Sequence, residues 1–244
     1  MKNCYIRISA FFVHLENFRR EEKEAVMAKT YDFSELAQAL VDKTVTKEEL
    51  LNRVKSDFGL IPLLLTGVES SKAAVRYGCA KVLMDLSGEH PEKLYPHFDS
   101  LVDLLDSKYR ILTWNALAII SNLTRIDADK RFDAIFGKYY TFLNSDYMVT
   151  VANVVGYSGT IALAKPYLIS RITDELLKVE DVSLTPHLTE ECKRVLAQQT
   201  IKTFGLFFDM VDQKERVLSF VRACLDHPRT KLRITAEAFL EKWG

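Results

Sequence analysis

Residues 71–86 read SKAAVRYGCAKVLMDL. Small residues stand at Ala74, Gly78, Cys79 and Ala80, larger apolar ones at Val75, Val82, Leu83 and Leu86. At 3.6 residues per turn the larger ones line one helical face. A stripe that alternates small and large side chains asks for a closely packed neighbour helix. Its relatives further along the chain show where that neighbour comes from.

The stretch VRYGCAKVLMDL (75–86) aligns with ILTWNALAIISNL (111–123), VTVANVVGYSGTI (149–161) and LRITAEAFLEKW (232–243). Val75, Ile111, Val149 and Leu232 then share one position, and Cys79, Asn115, Asn153 and Ala236 another. The longer gap before Leu232 leaves room for a further unit whose second helix fits CKRVLAQQTIKTFGLFF (192–208). Each of these helices has a preceding partner, expected near 60–68, 95–107, 131–145, 165–179 and 213–227. Pro62, Pro96 and Pro166 sit where the first turn of a partner helix belongs, because first-turn N–H groups have no intrahelical acceptor. Ser70-Ser71, Asp106-Ser107 and Ser145 close the partner helices with turn and cap residues. Upstream, Asp32-Phe33-Ser34-Glu35 and Thr46-Lys47-Glu48-Glu49 are capping-box patterns, opening helices near 33–43 and 47–57.

Helix pairs repeated every 36–40 residues or so are a solenoid signature. No pair can bury its stripe alone, and stacking makes the core continuous. The pattern of VRYGCAKVLMDL, a valine-arginine pair followed by two small residues and leucines, resembles the second helix of a HEAT repeat. That resemblance spans roughly 58–243 and is strongest over 60–125. Thr150 and Leu112 stand where the family often has arginine. It implies an all-α, right-handed α-α superhelix of the HEAT/armadillo-like type, with about five helix pairs and an N-terminal helical cap. The expected division is a cap at 27–57 and repeats at 58–90, 94–126, 131–164, 165–211 and 213–244. It also implies that the second helices line the concave face, and that an arginine such as Arg76 bonds acidic groups of a neighbouring repeat. Tetratricopeptide repeats fit less well, having a shorter period and a different Trp/Gly/Tyr pattern.

Residues 1–26 read differently. A short apolar run, Ile8 to Leu15, is interrupted by His14 and followed by charged RREEKE, with no small-x-small cleavage site. Met27 opens MAKTYDFSELAQAL, and Lys23-Glu24-Ala25 back-translates to a sequence resembling a ribosome-binding site. We expect residues 1–26 to be either an upstream mis-annotation or a flexible N-terminal segment. In the fourth unit, the acidic stretch KVEDVSLTPHLTEE (178–191) breaks the period. Such insertions map to one face of a solenoid, as binding loops or as tolerated surface loops.

The 244 residues are 48% apolar and 27% charged, a globular composition, and Lys+Arg and Asp+Glu both number 33. A formal net charge of zero argues against a dedicated nucleic-acid binder, which carries a basic excess. Cys4, Cys79, Cys192 and Cys224 are far apart without CxxC spacing. They read as reduced thiols of a cytoplasmic protein. Five scattered histidines form no metal-ligand pattern, so no metal or cofactor is expected. No phosphate loop is present, and Gly156-Tyr157-Ser158-Gly159 lacks the spacing of a nucleophile elbow. Those glycines read as close helix contacts.

Asn115 and Asn153, beside Trp114 and Tyr157, admit two readings. One is a polar, aromatic groove that grips a peptide backbone, since an amide both donates and accepts. The other, favoured by the sequence, is an internal ladder satisfied within the fold, because buried polar groups are normally paired. The sequence therefore predicts a non-catalytic scaffold or adaptor that binds another protein. Tyr77, Lys81, Asp85, Trp114, Asn115, Asn153 and Tyr157 are its candidate contact residues. The alternative is a nucleic-acid protein akin to HEAT-like alkylated-DNA glycosylases, for which the aromatic part is present and the basic surplus is not.

Overall fold

The computed structural model describes residues 33–42 and 44–244. Residues 1–26, with the expected extension and Cys4 and His14, lie outside the described residues, as does Asp32 of the first capping-box pattern. The chain divides into two compact units, Met1–Val45 and Thr46–Gly244. In the first, helix α1 (Phe33–Val41) is followed by a turn in which Thr44 Oγ1 donates to the Ala39 carbonyl at 3.3 Å.

The second unit is a run of helices. They are α2 (Lys47–Ser56), α3 (Ile61–Gly67), α4 (Ala73–Glu89), α5 (Pro91–Leu94), α6 (Phe98–Asp103), α7 (Arg110–Leu123), α8 (Arg131–Tyr140), α9 (Met148–Ala164), α10 (Ile169–Leu177), α11 (Glu190–Phe204), α12 (Lys214–Ala223) and α13 (Thr230–Trp243). The second helices α4, α7, α9, α11 and α13 are long and continuous. Their partners are short and run into 3₁₀ turns at Leu104–Asp106, Thr141–Asn144 and Lys178–Asp181. The second helices pack side by side in chain order, and α2 extends that row by packing on α4. The capping box at α2 is formed in full: the Glu49 N–H donates to Thr46 Oγ1 at 3.1 Å, and the Thr46 N–H to Glu49 Oε2 at 2.8 Å. Both bonds satisfy N–H groups that the helix leaves unpaired.

The stripe of α4 is the core: Val75, Cys79, Val82, Leu83 and Leu86 are all fully buried. The register of its relatives differs by one residue from the alignment of the sequences. Ile111 and Val149 are 40% and 48% exposed, while Leu112, Thr150 and Leu232 are buried alongside Val75. The equivalent positions are therefore Val75, Leu112, Thr150 and Leu232, and it is Gly78, not Cys79, that corresponds to Asn115 and Asn153. The alignment matched β-branched residues at the helix start, but Ile111 and Val149 face solvent there, while Leu112 and Thr150, one residue on, face the core.

Hydrogen bonds at one repeat's separation tie the row together. Trp114 Nε1 donates to Thr150 Oγ1 (3.0 Å), Asn122 Nδ2 to Ser87 Oγ (2.9 Å), Arg125 Nη2 to the Gly88 carbonyl (2.7 Å) and Gln198 Nε2 to Thr235 Oγ1 (3.2 Å). A buried ion pair also joins two repeats. Lys165 Nζ lies 2.9 Å from Asp127 Oδ2 and 2.8 Å from the Asp127 carbonyl. Asp127 also caps α8 by accepting from the N–H groups of Arg131 (2.8 Å) and Phe132 (3.1 Å), and it accepts from Tyr95 Oη at 2.6 Å.

The insertion at 178–191 is packed onto the preceding repeat. Thr185 Oγ1 donates to the Asp146 carbonyl at 2.8 Å, His187 stacks on Tyr147 with ring centroids 4.6 Å apart, and Leu188 is fully buried. It repeats the local form of the shorter turns. The Tyr109 and Tyr147 N–H groups donate to Ser107 and Ser145 two residues back, and the His187 N–H does so to Thr185.

Candidate interaction surface

Helices α4, α7 and α9 carry all seven residues selected from the sequence, and each is half-buried. Tyr77, Lys81 and Asp85 follow one another at helical spacing on α4, where Lys81 Nζ bonds Asp85 Oδ1 at 2.5 Å. On α7, Trp114 spends its only donor on Thr150, so its indole is fixed against α9. Its role in the fold is therefore partly structural. Beside it, Asn115 shares its register with Asn153 on α9.

Neither Asn115 nor Asn153 has a side-chain hydrogen bond to any described residue, and neither is fully buried. The internal-ladder reading is overturned. Both amides keep their donors and acceptors on the half-exposed face of adjacent helices. One turn further along the two helices stand Ala118, buried, and Gly156, half-exposed. A Cβ at Gly156 would stand 3.6 Å from Gln199 Nε2, which is ordinary contact. At Gly159 it would stand 2.5 Å from Leu206 Cδ1, so the close approach expected of this pair is real there. Ser158, between them, is buried and bonded to Tyr140 Oη (3.0 Å) and the Val154 carbonyl (2.8 Å), a packing role.

Tyr157 completes the set. Burial pushes its hydroxyl up in pKa, and the Lys81 ammonium offsets part of that rise, placing Lys81 within electrostatic reach of α9. Burial likewise pushes the Cys79 thiol up to about 12 and the Cys224 thiol up to about 11, which keeps both protonated and unreactive at neutral pH. Cys79, Cys192 and Cys224 are all free.

Arg76 is 5% exposed and serves its own repeat rather than an acidic neighbour. Its Nη1 donates to the carbonyls of Ser70 (2.7 Å) and Ser71 (3.2 Å), and its guanidinium lies 3.7 Å from the Tyr109 ring centroid. Arg233 makes the same pair of bonds to His227 (2.9 Å) and Pro228 (3.3 Å) in the last repeat. Arg222 pairs with Glu215, and Arg229 with Glu191. Among the described residues no group of three or more His, Cys, Asp or Glu side chains could hold a metal ion, and no helix is long and apolar enough to cross a membrane.

Solved structures share this architecture. A designed armadillo repeat protein superposes with a TM-score of 0.60 at 18% identity, over 88% of this chain and 96% of that one. A second, designed and solved in complex with the peptide (KR)4, gives a TM-score of 0.62 at 17% identity over the same shares. The fold is an armadillo/HEAT-like helical repeat solenoid. No protein-family model matches the chain. Among curated proteins, the alpha-glycerophosphate oxidase of Enterococcus casseliflavus is 23% identical over 190 residues, which span 77% of this chain and 28% of the oxidase. At that identity and coverage the match says nothing of catalysis here.

Proposed function

We propose that the protein is a non-catalytic repeat scaffold that binds another protein along the face presented by α4, α7 and α9. The observation that carries this is the pair Asn115 and Asn153: amides in the same register of adjacent helices, half-exposed, with no hydrogen-bond partner among the described residues. A polar side chain held on a packed helix row costs little only while water or a ligand meets it. Tyr77, Trp114 and Tyr157 supply aromatic walls, the residue type that most often anchors an interface. The peptide in the designed armadillo complex supports a polypeptide ligand for this architecture, though at 17% identity the likeness is one of fold. The free thiols, two of them buried, suit a reducing compartment such as the cytoplasm.

The test is affinity purification of the tagged protein from its source lysate, with nuclease, beside an N115A/N153A variant of unchanged thermal stability. A protein recovered in near-equal amount with the wild type and lost with the variant is the expected result. Equal recovery with the wild type and the variant overturns the site. Recovery of nucleic acid, or of partners that vanish on nuclease treatment, overturns the protein-scaffold reading.

A further inference from the structure

Among the described residues, Lys130 alone combines a side chain with a positive φ, 56° with ψ 33°. Glycine or asparagine takes that left-handed conformation at lower cost. In other residues it persists where the surroundings impose it, and such positions cluster at binding sites. Lys130 stands on an open cavity of about 420 Å³ past the C-terminal ends of α7 and α9. Arg125 of the 3₁₀ turn Thr124–Ile126, Asp127, Lys165 and Tyr167 also line it. The neighbouring cations are paired: Arg131 with Asp99 (2.7 Å), Lys138 with Asp106 (2.6 Å) and Lys165 with Asp127 (2.9 Å). Arg125 and Lys130 are not paired with any carboxylate of a described residue. Arg125 Nε donates to the Asn122 carbonyl (3.2 Å), and Nη2 to those of Ser87 (3.2 Å) and Gly88 (2.7 Å). These bonds fix the guanidinium and leave Nη1 without a partner among the described residues. The Lys130 ammonium lies 5.2 Å from the Tyr167 ring centroid. Asp133 and Asp129 stand outside the lining, the first accepting from Tyr167 Oη at 2.8 Å, the second 3.5 Å from Tyr95 Oη. Three cations against one carboxylate leave the lining a surplus of two positive charges.

We propose that this cavity binds a phosphate group as its dianion, with Arg125 Nη1 and Lys130 Nζ as donors. The site is independent of the scaffold reading and stands whether or not the second helices seat a protein. A phosphate monoester carries about 1.5 to 2 negative charges at neutral pH and three strong acceptor oxygens. That matches the surplus, whereas a carboxylate neutralises only half of it. A guanidinium already held in place loses little freedom when its remaining nitrogen donates, and a lysine adds a compact point charge. Behind them the Asp127–Lys165 pair, 5% and 3% exposed, fixes the wall, since Asp127 also holds the first turn of α8. The volume falls within the range of about 300–1,000 Å³ usual for small-molecule sites. There is therefore room for the group that bears the phosphate, with the ring of Tyr167, 53% exposed, beside it.

The experiment is calorimetric titration of the intact protein at low salt with phenyl phosphate, inorganic phosphate and benzoate. The wild type is compared with Lys130→Gly, which removes the ammonium and supplies the residue the backbone prefers, and with Lys242→Ala, which removes an equal charge elsewhere. K130G should keep or raise the urea midpoint. It should weaken phenyl phosphate binding about tenfold or more, the loss of one charge-assisted hydrogen bond, while K242A leaves it unchanged. Benzoate should bind the wild type far more weakly than phenyl phosphate. Inorganic phosphate binding as tightly as phenyl phosphate assigns the site to free phosphate, and weaker binding assigns it to an organic monoester; either supports the site. No binding of either phosphate by the wild type, equal affinity for benzoate and phenyl phosphate, or equal weakening by K130G and K242A overturns it.

Discussion

Arg76 shows how much one side chain can fix in this fold. Its guanidinium closes the turn before α4 through two carbonyls and lies over the Tyr109 ring of the next repeat. Hydrogen bonds to a charged group and a desolvated cation–π contact each contribute on the order of 1–3 kcal/mol. An R76A variant should lose about 2–4 kcal/mol in urea denaturation. R76K should recover little of it, because an ammonium cannot bond both carbonyls and lie flat on the ring. Arg110 lies over Tyr147 but is exposed, and R110A should cost less than about 1 kcal/mol. Equal losses for R76A and R110A would show that the buried carbonyl bonds contribute nothing.

At the scale of the element, α9 sets packing against helix propensity. Gly156 has room for a methyl group beside Gln199, and glycine inside a helix costs about 0.5–1 kcal/mol relative to alanine. G156A should therefore raise stability by roughly that amount, read as a higher urea midpoint at unchanged slope. G159A should gain less, because its Cβ must push aside the end of Leu206, an exposed side chain able to swing away. A loss for G156A would mean that the packing beside Gly156 is tighter than the Gln199 contact indicates.

The helices themselves were legible in the sequence because their stripes, first-turn prolines and serine turns obey local rules. The one-residue register error came from the helix starts, where Ile111 and Val149 imitate Val75 in type but not in burial. Helical spacing cannot tell which turn first meets a neighbour. Asn115 and Asn153 were legible as special residues, yet whether a ladder or open groups could be decided only by the hydrogen bonds they do not make. The Asp127–Lys165 pair was not legible at all, since its members stand 38 residues apart and join only when the repeats stack.

At the scale of the molecule, that buried pair controls how stability depends on pH. Burial pushes the Asp127 carboxyl up, but Lys165, Tyr95 and the N–H groups of Phe132 and Arg131 outweigh it and hold the group below the ordinary carboxylate range. Burial pulls the Lys165 ammonium down, but Asp127 and Tyr167 outweigh it and raise the group above the ordinary lysine value. The unfolded chain therefore binds the carboxyl proton first as pH falls, so the Asp127 contribution is present above its unfolded pKa and lost as pH drops through the folded one. The Lys165 contribution is present below its unfolded pKa and lost as pH rises through the folded one.

Between those limits the pair should give a flat plateau. D127N strips the counter-charge from a buried ammonium and should cost about 3–5 kcal/mol at neutral pH. Folding then favours neutral Lys165, so the variant should regain stability as pH rises, where the wild type is flat. K165M should cost less, because Asp127 keeps the Tyr95 hydroxyl and two N–H donors. Because Asp127 and Lys165 hold successive repeats together, and a solenoid's cooperativity rests on such nearest-neighbour interfaces, D127N should also broaden or split the unfolding transition. Urea melts of the three proteins across pH read both effects. A D127N stability that stays flat toward alkaline pH would show that Lys165 finds another partner or water once Asp127 is gone.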